Sequence, residues 1–171
     1  MKIQSLSYVL IETTDLQEWA DYSQNVVGLM KNDSLSDANN LYLRMDEKSF
    51  RFHISTGESK RYLAAGFNLK DKEAFEQAKN ELTDANISFE SFAADVITSR
   101  CVADGISLKD PAGNALELSY GSLDSSEPFL SPQDIKGFVT KGLGFGHVVF
   151  AAPELEVAHR FYLDVLGFGD S

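Results

Sequence analysis

The sequence predicts an α+β fold assembled from βαβββ modules, on three observations. Residues Tyr8–Leu29 align without a gap with His147–Phe168, so that Val9, Leu16, Val26 and Gly28 recur as Val148, Leu155, Val165 and Gly167. Both stretches, and Tyr62–Asn86 between them, pass from strand-like to helical spacing of apolar residues. Each helical run then stops on a residue suited to left-handed backbone, namely Gly28, Asn86 or Gly167. The pattern implies an N-terminal domain over 1–120 made of two modules (1–60 and 61–120), a linker over 121–142, and an incomplete third module over 143–171.

The elements follow in order. Ser5 to Glu12 read as a strand, and Asp15 caps a helix carrying Leu16, Trp19, Ser23 and Val26. A polar loop, Asn32 to Asn40, precedes strand-rich runs at Leu41 to Met45 and Phe50 to Ser55. In the second module Tyr62 to Leu69 is a strand and Asp71 caps a helix with Phe75, Ala78, Leu82 and Ala85 on one stripe. Strands are expected at Ile87 to Phe92, Val102 to Leu108 and Ala115 to Tyr120, the last two joined by the turn Asp110-Pro111-Ala112-Gly113-Asn114. The region from Gly121 to Gly142 is rich in Ser, Asp, Pro and Gly. The third module opens with a strand from Gly144 to Ala151, and Pro153 takes the first position of a helix carrying Leu155, Ala158, Phe161, Val165 and Leu166. With no partner strands in sight, residues 144–168 are expected to self-associate or to stay mobile.

Composition bounds the function. The 171 residues, 43% of them hydrophobic, suffice for a globular core. Twenty-six acidic against fifteen basic side chains give a net charge of −11, and no Lys/Arg stripe forms, which argues against nucleic acid and anionic membranes as partners. Cys101 is the single cysteine, and Met1 to Ser5 lack the apolar run of a secretory signal, so a reducing cytoplasm is expected. No segment approaches the about 18 uninterrupted apolar residues of a membrane span.

Four segments carry a resemblance: Ser5-Leu6-Ser7-Tyr8, Asp110 to Glu117, Glu127-Pro128-Phe129-Leu130, and Leu143 to Val149. In order and spacing they resemble the type I extradiol ring-cleavage dioxygenases, in particular the 2,3-dihydroxybiphenyl 1,2-dioxygenase group acting on bicyclic catechols. These belong to the vicinal oxygen chelate superfamily, which also holds glyoxalases and bleomycin-resistance proteins. The resemblance implies paired modules forming a curved mixed sheet, a homo-oligomer, and a catechol and O2 as substrates. It implies Fe(II) held by two histidines and a glutamate in a C-terminal pair of modules, a donor set that leaves open positions for substrate and oxygen. His147 matches the first of those histidines. The second histidine, the glutamate and the acid/base histidine would lie beyond Ser171, so this chain alone is expected to be inactive and to hold no iron tightly.

If residues 144–151 form a strand, its two-residue period places Val149 on the side of His147, facing substrate. In the N-terminal pair the corresponding positions are Tyr8, about Ala65, and Glu117, which form no useful metal site. Glu117 is then expected to bond a tyrosine hydroxyl such as that of Tyr8, or to lie at a cleft mouth. His53 and His159 lack ligand-spaced partners, and Cys101 reads as a buried structural thiol. Trp19, Phe75, Phe161 and Tyr162 read as packing. Three other readings stand beside the dioxygenase: a metal-dependent glyoxalase or epimerase, against which Tyr8 and Ala65 argue, a non-catalytic small-molecule binding module, and a purely structural role for the first domain in supporting oligomer contacts.

Overall fold

The computed structural model describes residues 1–140 and 144–169. Among the described residues, eight strands and four α-helices follow in the order β1 (Ile3–Thr13), α1 (Leu16–Tyr22), β2 (Met30–Lys31), β3 (Asn40–Arg44), β4 (Phe52–Thr56), β5 (Arg61–Leu69), α2 (Lys72–Asp84), β6 (Phe89–Ser91), α3 (Ala94–Arg100), β7 (Asp104–Lys109), β8 (Ala115–Tyr120) and α4 (Leu155–Arg160). They form two compact units, one of Tyr8–Ala64 with Leu123–Phe145, the other of Met1–Ser7, Ala65–Ser122 and Gly146–Ser171.

In the unit built around the first module the strands lie in the order β2-β3-β4-β1. β1 and β4 run parallel, Val9 opposite Phe52 through Thr13 opposite Thr56, and the remaining pairs are antiparallel. The Asp15 side chain accepts from the Glu18 N–H at 2.9 Å and starts α1. Leu29, Leu41, Leu43 and Ile54 form the core, with Leu16, Trp19 and Phe138 packed against it. Phe138 belongs to the stretch 123–145, which is tied to the module by Arg44. This guanidinium, 1% exposed, donates to the carbonyls of Lys48 (3.0 Å), Asp46 (3.2 Å) and Glu127 (2.9 Å). Buried cations need such partners.

In the second unit the order is β5-β8-β7-β6, the same topology, again with first and last strands parallel. Asp71 caps α2 through the Ala74 N–H at 2.9 Å, and Phe75, Ala78 and Leu82 are buried as their spacing requires. Ala85 instead ends the helix as its C-cap and is exposed. Asn86 follows at φ 56°, the left-handed residue expected there. The 110–114 turn forms around Asp110, whose Oδ1 accepts from the Ala112 and Asn114 N–H groups at 2.9 and 2.8 Å.

The duplication extends to the helix ends. α1 runs into a π-helical turn, Ser23–Val27, and α4 into another, Phe161–Val165. Each closes on a left-handed glycine, Gly28 at φ 84° and Gly167 at φ 72°, and on a matching bond, Leu29 N–H to Ser23 O and Phe168 N–H to Tyr162 O, both 2.9 Å. The wider turn rotates Val26 outward to 65% exposure, where regular helical spacing placed it in the core.

Several expectations are corrected. Residues 144–151 form no strand, because among the described residues none pairs with them and an extended segment alone has no ladder. Pro153 precedes α4 rather than opening it, since Glu154 is the non-helical cap (φ −108°, ψ 83°). Leu155 is 73% exposed, whereas Ala158, Phe161 and Leu166 are buried within their own unit. Part of the apolar face of this helix, Ala158, Phe161 and Leu166, is therefore covered by its own chain. β2 and α3 are additions to the predicted elements. Val96, Ile97 and Thr98 in α3 are β-branched and weaken a helical signal.

Two outcomes are expected in the first unit. A Cβ on Gly28 would meet Ser131 Oγ at 2.9 Å and Ile135 Cδ1 at 3.1 Å. Gly28→Ala should cost at least about 1 to 2 kcal/mol for the left-handed backbone alone, read by urea denaturation. Glu12 accepts from Arg61 Nε and Nη2 (3.1 Å each) and from Ser59 Oγ (2.8 Å), and these bonds hold its carboxyl below the usual 4.5. A depressed folded-state pKa means the contribution is present above 4.5 and disappears as pH falls through the lowered value. Glu12→Gln should flatten that part of an acid-denaturation profile, and an unchanged profile would show that the cluster contributes nothing.

Candidate functional site

His147 and Val149 lie on the irregular segment that leads into α4, and both are exposed, Val149 to 84%. Without a strand there, the two-residue period no longer fixes Val149 beside His147. The segment downstream is held firmly to its own unit. Asn114 Nδ2 donates to the Ala151 carbonyl at 3.1 Å, Tyr162 Oη donates to Asp110 Oδ2 at 2.8 Å, and the Phe168 ring sits edge-on to Phe67 at 5.4 Å. Tyr162, read as packing, is thus also a polar tie; Phe161 and Phe75 are plain core. Gly167 lies so close to the Met1 carbonyl that any side chain there would collide with it.

Among the described residues no group of three His, Cys, Asp or Glu side chains could hold a metal ion. His53 stacks on Tyr42 with centroids 4.1 Å apart and shares a 2.8 Å hydrogen bond with Asn40 Oδ1, so it serves the β3/β4 pair. His159 is exposed on α4. Among the described residues, His147 is the candidate iron ligand that the resemblance singles out.

The positions of the first two modules that the resemblance aligns with metal ligands are Tyr8, Ala65 and Glu117. Tyr8 is 1% exposed, with its ring 5.1 Å from that of Phe50, and Ala65 is fully buried opposite Leu116. Glu117, 6% exposed, forms a two-pronged ion pair with Arg100, Nε to Oε2 at 2.8 Å and Nη2 to Oε1 at 3.0 Å. Its burial corrects the expectation of an exposed cleft position. A guanidinium fits both carboxylate oxygens at once and takes the place of any cation there. Arg100 ends α3, a helix whose β-branched residues weaken its signal in the sequence. Cys101 follows as a left-handed cap (φ 52°) and is half-buried rather than buried.

Side-chain exposures of 15% and 8% make Arg100–Glu117 a buried pair. Arg100→Met should destabilise by about 3 to 5 kcal/mol because it strands a carboxylate, whereas Arg100→Met with Glu117→Leu should recover most of that loss. Chemical denaturation of the single and double variants decides it, and equal losses in both would show that the charge is not what matters.

Comparison with known proteins agrees with this architecture. Residues 6–57 match the family model described as dihydroxybiphenyl dioxygenase BphC D1. An iron-dependent extradiol dioxygenase of Rhodococcus jostii is 36% identical over 98% of this chain and 55% of its own length. A 3-methylcatechol 2,3-dioxygenase of Pseudomonas putida is 31% identical over 98% of this chain and 57% of its own. A crystal structure of catechol 2,3-dioxygenase superposes with a TM-score of 0.89 at 29% identity, covering 96% of this chain and 58% of that one. The chain thus spans a little over half the length of these relatives. Sequence similarity over nearly its whole length, together with a shared fold, relates this chain to the extradiol dioxygenases of the vicinal oxygen chelate fold.

Proposed function

We propose that this chain is the N-terminal part of an Fe(II)-dependent extradiol dioxygenase, one that uses O2 to cleave the ring of a bicyclic catechol beside its two hydroxyls. The observation that carries the reading is 36% identity to an iron-dependent extradiol dioxygenase over 98% of the chain. In this reading residues 1–120 are the metal-free domain, 121–142 the linker, and 143–171 the opening of the catalytic domain. The protein works in the cytoplasm as a homo-oligomer. His147 is the first iron ligand and Val149 borders the substrate.

Iron, when bound, supplies the positions at which catechol and oxygen meet. This chain's own contribution is one imidazole, offered from a segment anchored through Ala151 and Tyr162. One imidazole does not satisfy the ion, so residues 1–171 alone should neither retain iron nor turn over. Exposure of His147 and Val149 accords with a surface that further protein completes.

The test uses a protein in which this sequence is followed by the remainder that its relatives possess. His147→Ala should abolish both stoichiometric iron after anaerobic reconstitution and the yellow product from 2,3-dihydroxybiphenyl, while Tyr8→Phe retains both. Residues 1–171 alone should show neither iron nor product. An active His147→Ala protein would remove the ligand assignment. A reconstituted, folded parent that binds iron and cleaves no catechol would remove the dioxygenase reading.

A further inference from the structure

The second module turns an unusual polar face away from its helix. The alternation of β8 sets Leu116, Leu118 and Tyr120 on the side of α2, where the Tyr120 ring lies 5.2 Å from that of Phe75. Glu117 and Ser119 point the other way. In register beside Ser119 stand Asn68 of β5 on one flank and Gly105 of β7 on the other. The missing side chain of Gly105 leaves room that the Phe92 ring occupies, since a Cβ there would lie 2.3 Å from Phe92 Cε2. Ser119 is consequently walled in and fully buried.

Two polar atoms on this face lack partners among the described residues: Ser119 Oγ and Asn68 Oδ1, each shut off from solvent. The Asn68 amide is already oriented, its Nδ2 donating to Ser122 Oγ at 3.3 Å. A buried hydroxyl and a buried carbonyl left unpaired are costly, and here they sit on adjacent strands at matched positions. We propose that they hold one internal water, which donates to Asn68 Oδ1 and accepts a hydrogen bond from the Ser119 hydroxyl. The chemistry selects a neutral guest. Two uncharged oxygens are too few for a divalent cation, and the Arg100 guanidinium, bonded to Glu117 two residues along the same face, repels any cation. Water meets both needs at once, donor toward the amide and acceptor toward the hydroxyl. The site is independent of the metal segment and of the proposed reaction.

An atomic-resolution crystal structure of this chain should show a single solvent peak within hydrogen-bonding distance of both Ser119 Oγ and Asn68 Oδ1. A direct Ser119–Asn68 hydrogen bond, with either orientation of the amide, or an empty gap, would overturn the proposal. In solution, oxygen-17 relaxation dispersion should count one long-lived water fewer in Ser119→Ala than in the parent. Ser107→Ala, on the same face but outside the pair, should keep the parent count. Equal counts in the parent and Ser119→Ala would overturn the proposal, and if that variant fails to fold, Asn68→Leu provides the same comparison.

Discussion

Parallel pairing of β1 with β4, and of β5 with β8, obliges the chain to leave the first strand, cross one face as a helix, and return through two antiparallel strands before the last can dock. That route gives each sheet a helix-covered apolar face and an opposite face released from core duty. In the second module the first face carries Phe75, Leu116 and Leu118, and the second carries Glu117, Ser119 and Asn68. Polar groups collect on the side that the crossover leaves open, which is where a superfamily built on such modules would find ligands for a metal.

On this face of the second module the charge of Glu117 is met from within the chain. Glu117 keeps a cation, but the cation is a side chain of α3 rather than an ion from solution. A guanidinium cannot be exchanged, chelated or oxidised away, so the carboxylate is locked into a structural task. The third repeat presents the contrasting case, with a histidine where the first has Tyr8 and with that histidine in solvent.

What could be read from residues alone was what rests on local rules. Asp15 and Asp71 cap because a carboxylate meets free N–H groups one turn ahead, and Gly28, Asn86 and Gly167 stop helices because they tolerate positive φ. The Asp110 turn is legible for the same reason. Features set by distant partners were not. The π turns displaced Val26, β2 was too short to alternate, α3 hid behind Val96-Ile97-Thr98, and the extended run at 144–151 had the composition of a strand without a neighbour to pair with. For the candidate site, His147 stood out through the repeat and the family resemblance, whereas the Arg100 partner of Glu117 required the fold.

The make-up of the two compact units bears on how the chain reaches this state. One joins residues 8–64 to 123–145, and the other joins 1–7, 65–122 and 146–171. Neither can be finished from a contiguous stretch, so loops of many tens of residues must close before either core is sealed, and such closures slow folding. During synthesis the first seven residues leave the ribosome early yet wait for the Gly167 turn, which seats on the Met1 carbonyl, to emerge more than a hundred residues later.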